Sequence, residues 1–212
     1  MSSNLKDPDR HDTRNQILDV ANGLFRIYGP GKTTMAEIAD AADMSSANIY
    51  RYFENKHDLV EECIWQIMLL RLNELCKIVQ QPKMSAVTRL REFMLTTLRQ
   101  AYEGREQAPQ LEALIEFASC HYSKLILCKA EQEQLLISEI LLQGKSRGEF
   151  SVDDPAVTAT AIHDAISPFE TSCFIGRYSI NQLEDMVNDM IDLLLKALQA
   201  HKHNNGEARE SI

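Results

Sequence analysis

The chain has 212 residues, 44 % hydrophobic and 25 % charged, enough to build a sizeable core in one or two globular domains. Its opening, MSSNLKDPDRHD, carries no apolar segment and no run of about 18 apolar residues follows, so no signal peptide or membrane span is indicated and the cytoplasm is the expected location. A net charge of −9 excludes a chain that grips nucleic acid by bulk positive charge, and five cysteines (Cys63, Cys76, Cys120, Cys128 and Cys173) without C-x-x-C or Cys/His clustering indicate reduced thiols, a redox sensor being the alternative.

Residues 1–11 are polar and read as a flexible arm; residues 12–59 read as a first domain. From Thr13 the apolar positions Ile17, Ala21, Leu24, Phe25 and Tyr28 fall on one helical stripe, which Gly29-Pro30-Gly31 ends. Thr34 and Glu37 stand in capping-box spacing and open a second helix whose inner stripe is Met35, Ile38, Ala39 and Ala42. Those small residues allow close crossing of the next helix. Asp43 occupies the turn, where a left-handed conformation suits Gly better. Ser45 is the natural N-cap of a third helix with Ile49, Tyr52 and Phe53 inward.

Ser46, Ala47, Asn48, Tyr50 and Arg51 are left for the outer face. Asparagine can pair in bidentate fashion with adenine and arginine with guanine, while short Ser and Ala side chains let a helix sink toward base edges. Taken singly, each is also an ordinary surface residue. Asn55 can cap a fourth helix, which puts Lys56 in its first turn; a cation there opposes the helix dipole, and a neighbouring anion would relieve it. Between Thr13 and Asp58, five basic residues face six acidic ones, so any positive charge offered to DNA is placed rather than abundant.

The run ILDVANGLFRIYGPGKTTMAEIADAADMSSANIYRYFENKHDLVEEC resembles the DNA-binding domain of TetR-family transcriptional regulators. The likeness lies in a helix ending in LF, a Thr-rich start to the next, I-A-x-A-A, a Ser-capped third helix, Y-x-x-F, and K-x-x-L opening the fourth. It covers about 50 residues without a gap. The resemblance implies an all-α homodimer with an N-terminal three-helix helix-turn-helix domain and a C-terminal helical effector-binding and dimerisation domain, about nine helices in all. It implies that Thr33 and Thr34 approach phosphate, that Tyr50 and Lys56 hold the DNA backbone, and that Ser45, Ser46, Ala47, Asn48 and Arg51 belong to the reading turn and helix. Asp43 departs from the family's usual Gly, and Ser46-Ala47 from a common Lys-Gly pair, which removes a phosphate contact.

Residues 60–202 read as the second domain and 203–212 as a disordered tail. Val60 to Val79 is apolar on nearly every side, as a helix in the middle of a bundle would be, and Pro82 follows it. Ser85 can start a fifth helix with Leu90, Phe93, Met94, Thr97, Leu98, Ala101 and Tyr102 inward. Thr97 either bonds back to its own helix or anchors a ligand. Leu111, Leu114, Ile115, Ala118 and Tyr122 continue the core after Gly104 and Pro109, with His121 at its edge. A long helix spans about Ser123 to Lys145 and ends between Gly144 and Gly148. Pro155 to Ile175 presents one broad apolar face, with a kink expected at Pro168. The last helix, Gln182 to Ala200, has an apolar stripe too wide for one neighbour.

Surplus apolar surface on the last two helices suggests a four-helix bundle made by two subunits, with Ala161, Ala165, Leu183, Met186, Val187, Met190 and Leu194 as the dimer interface. Trp65, Met68, Met94, Thr97, Tyr102, Phe117, His121, Tyr122 and Phe169 are candidates for an effector pocket. Their aromatic and Met character suggests an apolar or aromatic effector, and equally suits plain helical core. No cofactor or metal is implied, and no nucleophile, paired carboxylates or metal cluster marks an enzyme. The expected function is a DNA-binding transcriptional regulator, a repressor released from a palindromic operator by a small molecule. The alternative is a helical interaction protein that keeps the head without specific DNA binding.

Overall fold

The computed structural model describes residues 8–107, 109–110 and 123–199, and among them the chain is helical with no strand. The all-α expectation holds. The helices are α1 (Pro8–Tyr28), α2 (Met35–Ala41), α3 (Ser46–Ile49), α4 (Lys56–Val79), α5 (Ala86–Gln107), α6 (Ser123–Ser146), α7 (Pro155–Ile166), α8 (Ser172–Ile175) and α9 (Ile180–Gln199). A 3-10 turn, Ser167–Glu170, separates α7 from α8.

Two compact units divide the chain. One runs through Leu69 and takes in the described residues from Gly104 to Gln110; the other holds Leu70–Glu103 and the chain from Lys124 onward. In the first unit Ile17, Leu18, Ala21 and Phe25 of α1, Ile38 of α2, Ile49 and Phe53 of and after α3, and Leu59 of α4 are all buried to 1 % exposure or less. Ile17, Ala21 and Phe25 lie on the expected stripe of α1, but Leu24 is half-buried and Tyr28 is 55 % exposed, and Leu18 fills a core place that the stripe did not include. α1 starts earlier than expected, at Pro8, so residues 8–11 belong to the helix rather than to a flexible arm; proline is favoured in a first helical turn, where its missing N–H is no loss.

The second unit is built on a core of Leu75, Leu90, Phe93, Met94 and Leu98, with Ile137, Ile140 and Leu141 of α6, Ala159 and Ile162 of α7, and Leu183, Val187 and Ile191 of α9. Its elements end where local chemistry says they should. Ser85 Oγ accepts the Thr88 N–H at 3.0 Å at the start of α5. Asp154 caps α7 through the N–H groups of Ala156 and Val157, with Pro155 in the first helical turn. Ser179 and Gln182 form a reciprocal cap before α9, at 3.4 and 3.0 Å.

Pro168 does more than kink its helix. α7 stops at Ile166, the 3-10 turn follows, and Thr171 is extended before α8 begins. A proline cannot donate to the ladder, so the chain re-forms with i→i+3 bonds and then lets go.

A buried cation lies in the second unit. Arg89 is 1 % exposed, and its Nη1 donates to the Val79 carbonyl at 2.9 Å and to Gln143 Oε1. Val79 is the last residue of α4 and Gln143 lies in the last turn of α6, so Nη1 meets two helix C-termini, whose partial negative charge favours a cation, while Nε and Nη2 are buried without a hydrogen-bond partner.

Candidate nucleic-acid interface

The helix-turn-helix is fixed by caps at both ends of α2. Thr34 Oγ1 accepts the Glu37 N–H at 3.2 Å while Glu37 Oε2 accepts the Thr34 N–H at 2.7 Å, the predicted capping box. These bonds hold the Glu37 carboxyl below its usual range. At the other end Asp43 has φ +55°, the Asp43 N–H donates to the Asp40 carbonyl at 3.2 Å, and the Met44 N–H donates to the Ala39 carbonyl at 2.9 Å. That pair of bonds is the Schellman arrangement, with aspartate in the left-handed position where glycine is usual. The strain, about 1 kcal/mol, is accepted by a residue whose short polar side chain tolerates it.

Ser45 Oγ then accepts the Asn48 N–H at 3.2 Å, as expected for the N-cap of α3. α3 makes a single α-helical turn before tightening: the Arg51 N–H reaches Asn48 O at 3.1 Å and the Tyr52 N–H reaches Ile49 O at 2.9 Å, both i→i+3. Ile49 and Phe53 face the core, against the side of α2 that buries Ile38 and Ala39. Ser45, Ser46, Ala47, Tyr50 and Arg51 are exposed and Asn48 is half-buried. One face thus collects hydroxyl, methyl, amide, phenol and guanidinium groups.

Arg14 braces this arrangement from α1. Its guanidinium makes two parallel bonds of 3.0 Å to Glu62 of α4 and lies 4.9 Å from the centre of the Phe53 ring. The carboxylate beside it raises its pKa further. Gln16 donates to the Ala42 carbonyl at 3.4 Å, and Asn22 to Gln66 at 3.2 Å.

Two of the expected phosphate contacts are differently engaged. Thr33 is 2 % exposed and its hydroxyl donates to the Gly29 carbonyl at 2.9 Å, so it closes the α1–α2 connection from inside. Lys56 Nζ donates to the carbonyls of Pro30 at 2.8 Å and Thr33 at 3.1 Å. Thr34 remains exposed, as does Lys32, a loop cation not singled out from the sequence. Lys32 lines a small surface recess with Leu24, Tyr28, Thr33 and Glu37.

Of the effector-pocket candidates, Trp65 and Met68 fall in the first unit; Met94, Thr97, Tyr102 and Phe169 fall in the second, where Met94 is core and Tyr102 and Phe169 pack against it. Thr97 Oγ1 donates to the Phe93 carbonyl at 3.0 Å, so its hydroxyl is satisfied by its own helix. Phe117, His121 and Tyr122 lie outside the described residues, as does Cys120. Cys63 is fully buried, and burial pushes its thiol up to about 12, which leaves it unreactive.

The expected dimer face needs correction at two positions. Leu183 and Val187 are 0 % exposed within their own chain and have no surface left for a partner. Met186, Met190 and Leu194 are half-buried, Ala165 likewise, and Ala161 is exposed. Leu193 (68 %) and Val157 (66 %), which lie on the two apolar faces but outside the expected interface, are the bare apolar side chains of α9 and α7.

The second unit also holds a charge cluster that periodicity did not disclose. Lys129 Nζ lies 2.9 Å from Glu133 and 2.8 Å from Glu170, and His163 Nε2 lies 3.3 Å from the same Glu133. Desolvation raises the Glu170 carboxyl, and the bond to Glu133 raises the His163 imidazole. The Lys129–Glu133 pair is four apart on α6, as helix neighbours are, whereas Glu170 and His163 reach it from other elements.

Residues 17–63 match the sequence model described as bacterial regulatory proteins, tetR family, and residues 86–191, half of the chain, match that of the tetracyclin repressor-like C-terminal domain. The HTH-type transcriptional regulator AcrR of Shigella flexneri is 33 % identical over 116 residues, which is 54 % of this chain and 52 % of that protein. The probable acrEF/envCD operon repressor of Escherichia coli K12 is 41 % identical over 59 residues, 28 % of this chain and 27 % of the relative. The chain thus spans about half the length of the first relative and about a quarter of the second. Among solved structures, a transcriptional regulator from Cytophaga hutchinsonii superposes with a TM-score of 0.71 at 22 % identity, covering 87 % of this chain and 97 % of that one. SmeT, the repressor of a Stenotrophomonas maltophilia multidrug efflux pump, gives 0.65 at 18 % identity over 89 % and 91 %. At those identities the likeness is one of fold.

Proposed function

Because the chain belongs to the tetR family of bacterial regulatory proteins, we propose that it is a cytoplasmic, homodimeric, sequence-specific DNA-binding repressor that a small-molecule effector releases from a palindromic operator. The observation that carries this reading is the exposed face of α3. Ser46, Ala47, Tyr50 and Arg51 stand outward from a turn locked by the Ser45 cap, with Asn48 beside them, while Ile49 and Phe53 anchor the opposite side. Such a face offers donors and acceptors to base edges at the N-terminal end of a helix, as a recognition helix requires.

Two such helices, one per subunit, would meet half-sites about one DNA turn apart, roughly 34 Å, and hence a palindrome. The pairing surface in this reading is Val157, Ala161 and Ala165 of α7 with Met186, Met190, Leu193 and Leu194 of α9. The effector would favour a head spacing that no longer fits the operator. Met94, Tyr102 and Phe169, in or against the core of the second unit, are in keeping with an apolar or aromatic molecule, as is SmeT, the repressor of a multidrug efflux pump.

Selection of bound sequences from random DNA, followed by gel shifts at graded salt, tests the proposal. A recovered palindrome retarded by the dimer is the expected outcome. Failure of the selected pool and the gene's own upstream DNA to be retarded at low salt would sink it.

A further inference from the structure

Lys56 stands at the first position of α4, where a cation is unfavourably placed against the helix dipole. A DNA phosphate would explain it. The structure supplies another explanation. The ammonium donates to the carbonyls of Pro30 and Thr33 at 2.8 and 3.1 Å, across 26 and 23 residues of chain. Both acceptors lie in the α1–α2 connection, outside either helix, where carbonyls lack the partners a helical ladder would provide.

That connection is closed at several points. Gly29 turns the chain at φ +77° and its carbonyl accepts from the Lys32 N–H at 3.3 Å and the Thr33 hydroxyl at 2.9 Å. The next residue, Thr34, caps α2. The Schellman turn at Asp43 and the Ser45 cap then lead directly into α3. Whatever holds Pro30 and Thr33 therefore sets where α2 enters, and α2 sets how α3 is presented.

We propose that Lys56 is a positioning residue for DNA recognition: it ties the α1–α2 connection to the start of α4 and so fixes the presentation of α3, instead of clamping phosphate. This rests on the DNA-binding reading above. Phosphate neutralisation then falls to exposed cations such as Lys32 and Arg51.

Counterion release separates the two roles, because each neutralised phosphate contributes about 0.9 to the slope of log K against log salt on B-DNA. With an operator in hand, Lys56→Met is expected to bind about tenfold more weakly at every salt concentration with the slope unchanged, since it loses charge-assisted bonds within the protein and none to DNA. A slope lowered by about 0.9 per subunit would overturn the proposal. In the free protein the same change is expected to shift the amide resonances of Ser46–Arg51; unmoved resonances would count equally against it. Should Lys56→Met not fold, wild-type protein decides the question with ¹⁵N-lysine NMR. A slowly exchanging Lys56 ammonium, coupled through hydrogen bonds to the Pro30 and Thr33 carbonyl carbons with and without operator, is the expected signature. Fast exchange in the free protein, or couplings that vanish on operator binding, would refute it. A wild type that binds no selected DNA defeats the DNA-binding reading, and the free-protein spectrum still reports on the tie itself.

Discussion

Asn48 carries the most specific chemistry of the proposed reading face. Its N–H is taken by the Ser45 hydroxyl, which leaves the amide side chain, half-buried, for a base edge or a phosphate. Asn48→Ala is expected to cost roughly 1 to 3 kcal/mol of operator binding and to relax preference at one base pair per half-site, as measured by competition among single-base operator variants. A uniform loss on all sequences would make it a backbone contact. His163 sets a second residue-level expectation, on stability. Its imidazole is raised above its ordinary value chiefly by the bond to Glu133, with burial acting the other way. A raised histidine stabilises fully below its unfolded pKa, about 6.5, and loses that contribution as pH climbs through the folded value. The raised Glu170 carboxyl acts in the same direction at the lower end, because burial, and then the neighbouring Glu133 carboxylate, make ionising it unfavourable. Chemical denaturation at pH 6 and pH 8 should therefore show wild type losing stability at the higher pH and His163→Gln losing less of it. Equal losses would mean that the proton sits elsewhere.

Elements meet in this protein through small residues at crossings. Ala39 and Ala42 keep the inner face of α2 shallow, so that the Ile49 side of α3 can approach. Gly144 does the same for α6. A Cβ built there would come within 2.3 Å of Phe150 and 2.8 Å of Ala86 Cβ, too close for either to stay. Phe150 follows the helix's own C-terminal turn, where Gly148 at φ +67° lets the Glu149 N–H return to the Gly144 carbonyl at 2.8 Å. The Glu149 carboxylate in turn accepts the Ala86 N–H at 2.6 Å, at the start of α5. Gly144→Ala is expected to lower stability by roughly 1 to 3 kcal/mol despite the better helix propensity of alanine, because overpacking outweighs it. A thermal midpoint equal to or above wild type would show that Phe150 repacks freely.

At the scale of the whole molecule, a chain with net charge −9 has little non-specific attraction to DNA, so in the proposed dimer two heads acting together would supply what one weakly charged head lacks. In the proposed dimer, the bare apolar side chains of Leu193 and Val157, with Met186, Met190 and Ala161, would give α7 and α9 a surface for a second copy. Placing a charge in its middle, as Leu193→Glu, is expected to shift the protein from dimer to monomer in sedimentation and to weaken operator binding at least tenfold while leaving helix content unchanged. A variant that stays dimeric would move the pairing surface away from α9.

What the sequence determined by itself is local. The Thr34–Glu37 box, the Ser45 and Asn55 caps, the stop at Gly29 and the left-handed Asp43 are all interactions within five residues, and each was found where its side-chain chemistry put it. Together with the spacing of Ile38, Ala39, Ile49 and Phe53 they make the head legible, because helix periodicity reports directly which side is buried. What tertiary structure decided is how long side chains and wide stripes are spent. Lys56 and Thr33 turned inward to carbonyls of a loop up to 26 residues away, and Arg89 found two helix ends. Leu183 and Val187 went to their own core, while Leu193 stayed outside. His163, Glu133 and Glu170 met from three elements. Those outcomes depend on which partners arrive from distant parts of the chain, and a one-dimensional period records the direction of a side chain but not what is waiting there.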